Sequence, residues 1–225
     1  MRALIFLLVM VPTVASAQDD GTLFGAGLRT RPKFDGSSDR TTDLIPVIRY
    51  YGRPWFARTT QGILEGGARW NMRDGLDVGA QLAYEQGPQD RDPGASIGVH
   101  AEADRKIGPV PVDGLLRLRQ FLDTDRGLQF DARATVGVYG GHGILAGVFA
   151  QATWASEKSF EAYYGVRESG FLFTSVGALA SYELTHRWQL VGSIESRRLG
   201  DKAAESPIVQ RRSGVYASAG LAYRF

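Results

Sequence analysis

There is no cysteine anywhere in the 225 residues. That absence excludes a disulfide scaffold, thiolate catalysis and cysteine-ligated metal. Histidine is almost as scarce, with three in the whole chain: His100, His142 and His186. Charge of one sign is missing too, since 26 basic residues stand against 24 acidic ones. Such a balance gives no reason to expect nucleic acid as a partner. Long hydrophobic runs are also absent. The longest is ALIFLLVMV, residues 3–11, well short of the roughly 20 residues a spanning helix needs.

That short run has a different meaning at the N-terminus. Arg2 precedes it, and Ala15-Ser16-Ala17 follows as a small-x-small cleavage site. This is the layout of a secretory signal peptide over residues 1–17, cut after Ala17. The mature chain, 18–225, then has 25 basic residues against the same 24 acids, because Arg2 is removed. No linker, low-complexity tract or composition shift divides it, so a single domain is expected.

What the chain has in abundance is alternation. In LQFDARATVGVY (128–139), Leu128, Phe130, Ala132, Ala134, Val136 and Val138 take one face and Gln129, Asp131, Arg133 and Thr135 the other. LDVGAQLAYE (76–85) and IGVHAEAD (97–104) repeat the pattern. A period of two is the signature of a strand. Turn residues punctuate these segments at Arg73-Asp74-Gly75, Gly108-Pro109, Asp125-Arg126-Gly127 and Gly140-Gly141-His142-Gly143. The segments run about ten to thirteen residues, against five or six for ordinary globular strands. A tilted strand crossing a bilayer needs roughly 9–11.

Periodicity alone leaves two readings open, a soluble sandwich or barrel with its apolar face inward and a membrane barrel with that face outward. The strand length, the signal peptide and the terminal Phe225 favour the second. The expectation is an all-β, closed antiparallel transmembrane barrel in the outer membrane, surrounded by its lipid. Strands are placed at 22–31, 44–52, 75–86, 95–106, 113–123, 128–139, 144–156, 172–184, 188–199 and 214–225. Residues 54–72 split at Gln61-Gly62 into two more, giving twelve, with ten as the fallback. Parity puts loops 32–43, 87–94, 157–171 and 200–213 outside, and turns 52–54, 73–75, 108–112, 140–143 and 185–187 in the periplasm.

The candidate functional residues follow from the polar face. Arg117, Arg119, Arg133, Arg197, Glu102, Asp104, Asp131 and Glu195 are expected to project into the lumen. There they either line a selective aqueous path or neutralise one another and close it. At the chain end, Tyr223 and Phe225 suit the periplasmic rim, and a terminal aromatic of this kind resembles the signal read by the outer-membrane assembly machinery. His100, Glu102 and Asp104 share one strand face, a spacing that metal sites use, though a hydrated polar network uses it more often. No metal or other cofactor is therefore assigned. No histidine is followed by the His-x-Ser spacing of a lipid A deacylase, and no Ser–His pair is set up for nucleophilic catalysis. In loop 157–171, Phe160, Tyr163, Tyr164 and Phe171 would suit a binding surface, but a fold over the barrel mouth or a place in the outer aromatic girdle is favoured.

Particular motifs then carry a resemblance. They are RPKFDGSSD (31–39), LIPVIRY (44–50), YYGV (163–166), SGF (169–171), THRWQL (185–190), RLGDKAAESPIV (198–209) and AYRF (222–225). In this order they closely resemble the MipA/OmpV family of MltA-interacting outer-membrane proteins. The resemblance implies a barrel without a catalytic site, and a scaffold role between a lytic transglycosylase and a penicillin-binding protein. A small porin or a surface adhesin is the alternative, because the family is not uniform in function.

Overall fold

The computed structural model describes residues 21–85 and 93–225. The expected signal peptide and most of loop 87–94 lie outside them. The described chain is twelve strands joined in order. They are β1 (Leu23–Pro32), β2 (Arg40–Tyr51), β3 (Trp55–Thr60), β4 (Ile63–Arg73), β5 (Leu76–Glu85) and β6 (Gly94–Ile107), then β7 (Val110–Phe121), β8 (Leu128–Gly141), β9 (Ile144–Ala155), β10 (Gly170–Glu183), β11 (Trp188–Leu199) and β12 (Ser213–Arg224). Each pairs antiparallel with its neighbours, and β1 pairs with β12 from Leu23↔Arg224 to Thr30↔Ala217, which closes the barrel. The strand count is the expected twelve. The split of 54–72 is real: Gln61 (φ 53°) and Gly62 (φ 80°) form a two-residue turn between paired Thr60 and Ile63. Two consecutive left-handed residues match the natural twist of a hairpin.

Side chains are arranged inside out. Leu28, Leu44, Leu82, Ile97, Val99, Leu116, Val176 and Ile194 are exposed on the outer wall, Leu44 at 69 %. Arg117, Glu65 and Asp131 are each 1 % exposed. Only lipid rewards that polarity, because apolar groups gain nothing by facing water and charges bury themselves only when paired. Aromatic residues mark both ends of the wall. Phe24, Trp188, Tyr223 and Phe225 gather at the end where the first and last strands meet, with Tyr223 5.3 Å from Trp188 and 5.0 Å from Phe225 between ring centroids. Tyr84, Phe130, Trp154 and Phe171 face out near the other end.

The two ends differ in their connections. Turns as short as Gly108-Pro109 and His142-Gly143 lie at the end holding Leu23 and Arg224. This is the periplasmic end by the general asymmetry of such barrels. The turn expected over 108–112 is shorter than that, because β7 begins at Val110. At the opposite end, the loop after β1 covers only 33–39, since β2 starts at Arg40 and not near 44. The loops after β9 and β11 carry helices, α1 (Glu157–Tyr164) and α2 (Asp201–Ala204).

One seam is incomplete. Strands β2 and β3 pair through only three positions, Arg49↔Arg58, Tyr50↔Ala57 and Tyr51↔Phe56. Above them, Arg40–Ile48 pairs with β1 alone among the described residues. Pro46 stands in this stretch, where a residue without an N–H is tolerated.

Glycine makes room inside the wall at Gly79, where a Cβ would overlap the His100 ring. Gly114 on the outer face has its nearest neighbour at 4.0 Å. Gly79→Ala is therefore expected to cost about 1–3 kcal/mol through overpacking, and Gly114→Ala close to nothing. Urea unfolding followed by heat-modifiable gel mobility reads both; equal midpoints would contradict the packing.

Candidate functional site

The lumen is crossed by a lattice of arginines and carboxylates drawn from six successive strands, β3 to β8. Arg117 on β7 donates from Nη1 to Glu65 Oε2 at 2.8 Å, reaching over to β4, and from Nε to Asp131 Oδ2 at 2.9 Å on β8. Arg119 contacts Asp131 at 3.3 Å and Glu85 at 3.0 Å. Arg58 on β3 pairs with Glu65 at 2.5 Å and also with Glu102 on β6. Neutral groups complete the carboxylates' shells: Gln81 Nε2 donates to Glu65 at 2.9 Å and Thr153 Oγ1 to Asp131 at 2.8 Å. Each buried charge thus has more than one partner, which burial of ionised groups demands.

A second cluster sits nearer the mouth. Arg197 on β11 donates to Glu195 at 2.7 Å and to Asp35 at 3.3 Å, and its guanidinium lies over the Tyr216 ring at 4.1 Å and the Phe173 ring at 4.6 Å. The Tyr216 hydroxyl donates to Asp35 as well. Arg133 differs from the other arginines. Among the described residues it makes no ion pair, and its guanidinium lies 4.1 Å above the Phe149 ring. Asp104 continues the His100 and Glu102 face of β6 down to its exposed periplasmic end. Among the described residues no group of three or more acids or histidines is placed to hold a metal ion. His100 instead packs edge-on against Phe56, ring centroids 5.1 Å apart.

Above the lattice lies a cavity of about 340 Å³, walled by Arg29, Arg31, Glu85, Arg119, Arg197 and Tyr163 among others. Helix α1 roofs it. Phe160 is fully buried and Tyr164 nearly so, packed with Leu172, Phe173 and Leu199. The loop's aromatics thus fold over the mouth, one of the two places expected for them. Phe171 alone of the four takes the girdle position, 63 % exposed. The reason is geometric: the helix turns Phe160 and Tyr164, four residues apart, onto one face. Gln129 holds the roof to the lattice, accepting from Arg119 at 3.2 Å and donating to Ser159 at 3.1 Å. Burial pushes the Tyr163 and Tyr164 phenols above their ordinary range, so both remain neutral donors.

Arg58, Glu65, Arg29, Arg31 and Asp43 belong to the site and were not among the residues expected there. Arg58 and Glu65 fall in the 54–72 stretch, where Gly66-Gly67-Ala68 blurs the alternation. Counting parity outward from the Gln61-Gly62 turn puts both on the inner face.

These sequence features match the family profile described as MltA-interacting protein MipA over residues 24–225. The chain belongs to the MipA family. No curated protein matches it. Among solved structures, the MipA-family barrel resembles an outer membrane channel from Pseudomonas putida F1, with TM-score 0.58 and 11 % identity over 96 % of this chain and 100 % of that one. It also resembles the NanC porin, with TM-score 0.56 and 14 % identity over 91 % and 100 %. The translocator domain of the autotransporter NalP from Neisseria meningitidis follows at 0.54, with 12 % identity over 91 % and 88 %. At these identities the likeness is one of fold, an outer-membrane barrel.

The lattice makes a specific energetic expectation. Glu65→Gln or Arg117→Met alone takes one of its partners from each buried charge it meets and is expected to cost up to about 3–5 kcal/mol. The double variant should cost clearly less than the sum of the two. Urea titrations of the four proteins check this, and strict additivity would show that the two groups do not interact.

Proposed function

We propose that this MipA-family protein is a non-enzymatic outer-membrane barrel that holds a lytic transglycosylase at the membrane and does not serve as an open pore. One observation carries the second half of the reading: the ion-pair lattice spans the lumen with side chains of Arg117, Glu65 and Asp131 almost fully buried. The family's description as MltA-interacting supports the first half. The periplasmic rim offers the contact. Arg53, Arg73, Arg105, Lys106 and Arg187 are exposed there, with Asp74 and Asp104 in the minority. A specific interface needs roughly 1,000 Å², so a partner with an acidic face would span several short turns at once. A penicillin-binding protein as the second partner belongs to the same proposal. So do export through a signal peptide cut after Ala17, a single barrel domain over 18–225, and Tyr223 and Phe225 as the assembly signal. The second reading, a solute channel, draws on the cavity above the lattice, which a rearranged roof would connect to the outside.

Planar-bilayer recording of the refolded barrel decides between them. The wild type is expected to be silent, and Arg117→Ala with Arg133→Ala to show brief openings as the lattice loosens. Discrete openings in the wild type would make it a channel. In parallel, capture of a lytic transglycosylase from native membranes is expected to fall several-fold when Arg105→Glu and Lys106→Glu reverse the rim charge. Undiminished capture, or none at native expression, would remove the docking role.

A further inference from the structure

The outer wall changes character around its external edge. On β5, β8, β9 and β10 the outward side chains at that end are aromatic, Tyr84, Phe130, Trp154 and Phe171. No outward position near the external ends of β5 to β10 carries a charge. Around β11, β12, β1 and β2 the aromatics stop and arginine takes their place. Arg198 is the last outward residue of β11 and Arg40 the first of β2, and both are exposed. Arg211, also exposed, lies in the loop just before β12.

The register brings the three together. Arg198 stands opposite Ser213 at the start of β12, a Cβ on Gly214 would meet the Pro32 ring of β1, and Pro32 stands opposite Arg40. Only three strand spacings of about 4.8 Å separate β11 from β2. The loops above are stitched to one another, which fixes the group further. The Gln210 and Arg211 amides both donate to the Gly36 carbonyl, at 2.8 Å and 2.9 Å, and the Ser38 amide donates to Gln210 Oε1 at 2.9 Å.

The cluster carries surplus positive charge. Among the described residues Arg40, Arg198 and Arg211 make no ion pair, and the one side-chain bond of Arg40 is to the neutral Thr30 Oγ1 at 3.3 Å. Of the acids in the two loops, Asp35, Asp39 and Asp201 are taken by Arg197, Lys33 and Arg212. That leaves Glu205 against three guanidiniums. Below them on the outward face lie Leu28, Leu44, Ile194 and Val215, all exposed to lipid.

We propose that Arg40, Arg198 and Arg211 form a headgroup site for a phosphorylated glycolipid of the outer leaflet, its phosphates on the guanidiniums and its acyl chains running down the aliphatic wall beneath. The chemistry favours this occupant, because a guanidinium fork meets phosphate oxygens two at a time and basic residues at a membrane interface draw anionic heads. The position favours it as well. Arg40 and Arg198 point outward at the level where head groups lie, directly above apolar side chains, whereas a soluble anion would find nothing to gain from the lipid-facing phase. The site is at the opposite end from the periplasmic rim and does not depend on the docking role.

The test uses the purified full barrel in a neutral polyoxyethylene detergent, with native mass spectrometry counting bound molecules. The probes are diphosphoryl lipid A, the same lipid with both phosphates removed, and inorganic pyrophosphate. One diphosphoryl lipid A per barrel is expected, with the dephosphorylated lipid and the Arg40→Gln, Arg198→Gln double variant each weakening binding about tenfold or more. Arg167→Gln with Lys202→Gln removes two exposed basic groups elsewhere on the external face, each already paired with a glutamate, and is expected to bind as the wild type does. Equal binding of the dephosphorylated lipid, undiminished binding in the arginine variant, or an equal loss in the control pair overturns the proposal. Pyrophosphate that displaces the lipid at equal concentration overturns its assignment to a lipid. Ser213→Glu gives an independent arm, since it removes no basic group and sets a carboxylate between the arginines. It should weaken lipid A binding by a similar factor while heat-modifiable gel mobility stays that of the folded barrel, and a folded Ser213→Glu barrel that binds unchanged sinks the idea.

Discussion

Inside hydrocarbon, a backbone N–H or C=O has no water to turn to, so the rest of this structure depends on each strand finding two neighbours. The β1–β12 ladder supplies the last of these pairings and turns a sheet into a wall without ends. Closure then dictates everything else. Side chains on alternate positions must face either lipid or lumen, which is why Leu116 and Leu118 alternate with Arg117 and Arg119 along one strand. It also makes the short β2–β3 ladder among the described residues conspicuous, because a wall of this kind gains nothing by leaving a strand half paired.

The lumen solves a problem that closure creates. Twelve strands enclose more space than apolar side chains can fill, since the apolar residues are needed outside. The chain fills it with long, branched-hydrogen-bonding groups. Arginine suits this task because its planar fork meets two acceptors at once and its charge is never lost. Arg117 spans the barrel from β7 to Glu65 on β4, so a lattice bond is also a cross-brace. The buried charges cost desolvation, and the geometry recovers it because Glu65 also meets Gln81 and Asp131 also meets Thr153. Rigidity and occlusion come from the same contacts.

Much of this was legible in the sequence, and the exceptions have physical causes. Strand identity and number came through because a period of two sustained over ten or more residues suits a strand and hardly anything else. Strands β8 through β12 match their expected spans within about two residues. The inner face of β7 and β8 was readable from Arg117, Arg119 and Asp131. What stayed hidden was pairing across the lumen, since parity says which way Arg117 points but not that Glu65 awaits it. Glu65 lay in a glycine-blurred segment as well. The α1 roof was missed for another reason. EKSFEAYY holds Phe160 and Tyr164 at helical spacing, yet a helix only two turns long gives a weak signal beside so many strands. Its docking site, made by Phe173 and Leu199, comes from strands distant in sequence. The open seam was invisible, because nothing in RTTDLIPVIRYY distinguishes a strand with one partner from a strand with two, apart from Pro46.

The closing ladder also governs the order of events during folding. Every neighbouring pair from β1–β2 to β11–β12 joins segments adjacent in the chain, so those hairpins form from local encounters. The pair β1–β12 joins Leu23 to Arg224, and no shorter piece of the described chain contains both edges. The wall is therefore all or nothing in its final step: until β12 arrives, β1 keeps a raw edge that lipid will not accept. Insertion and closure become one event, and a chain shortened by its last strand has no smaller barrel to fall back on.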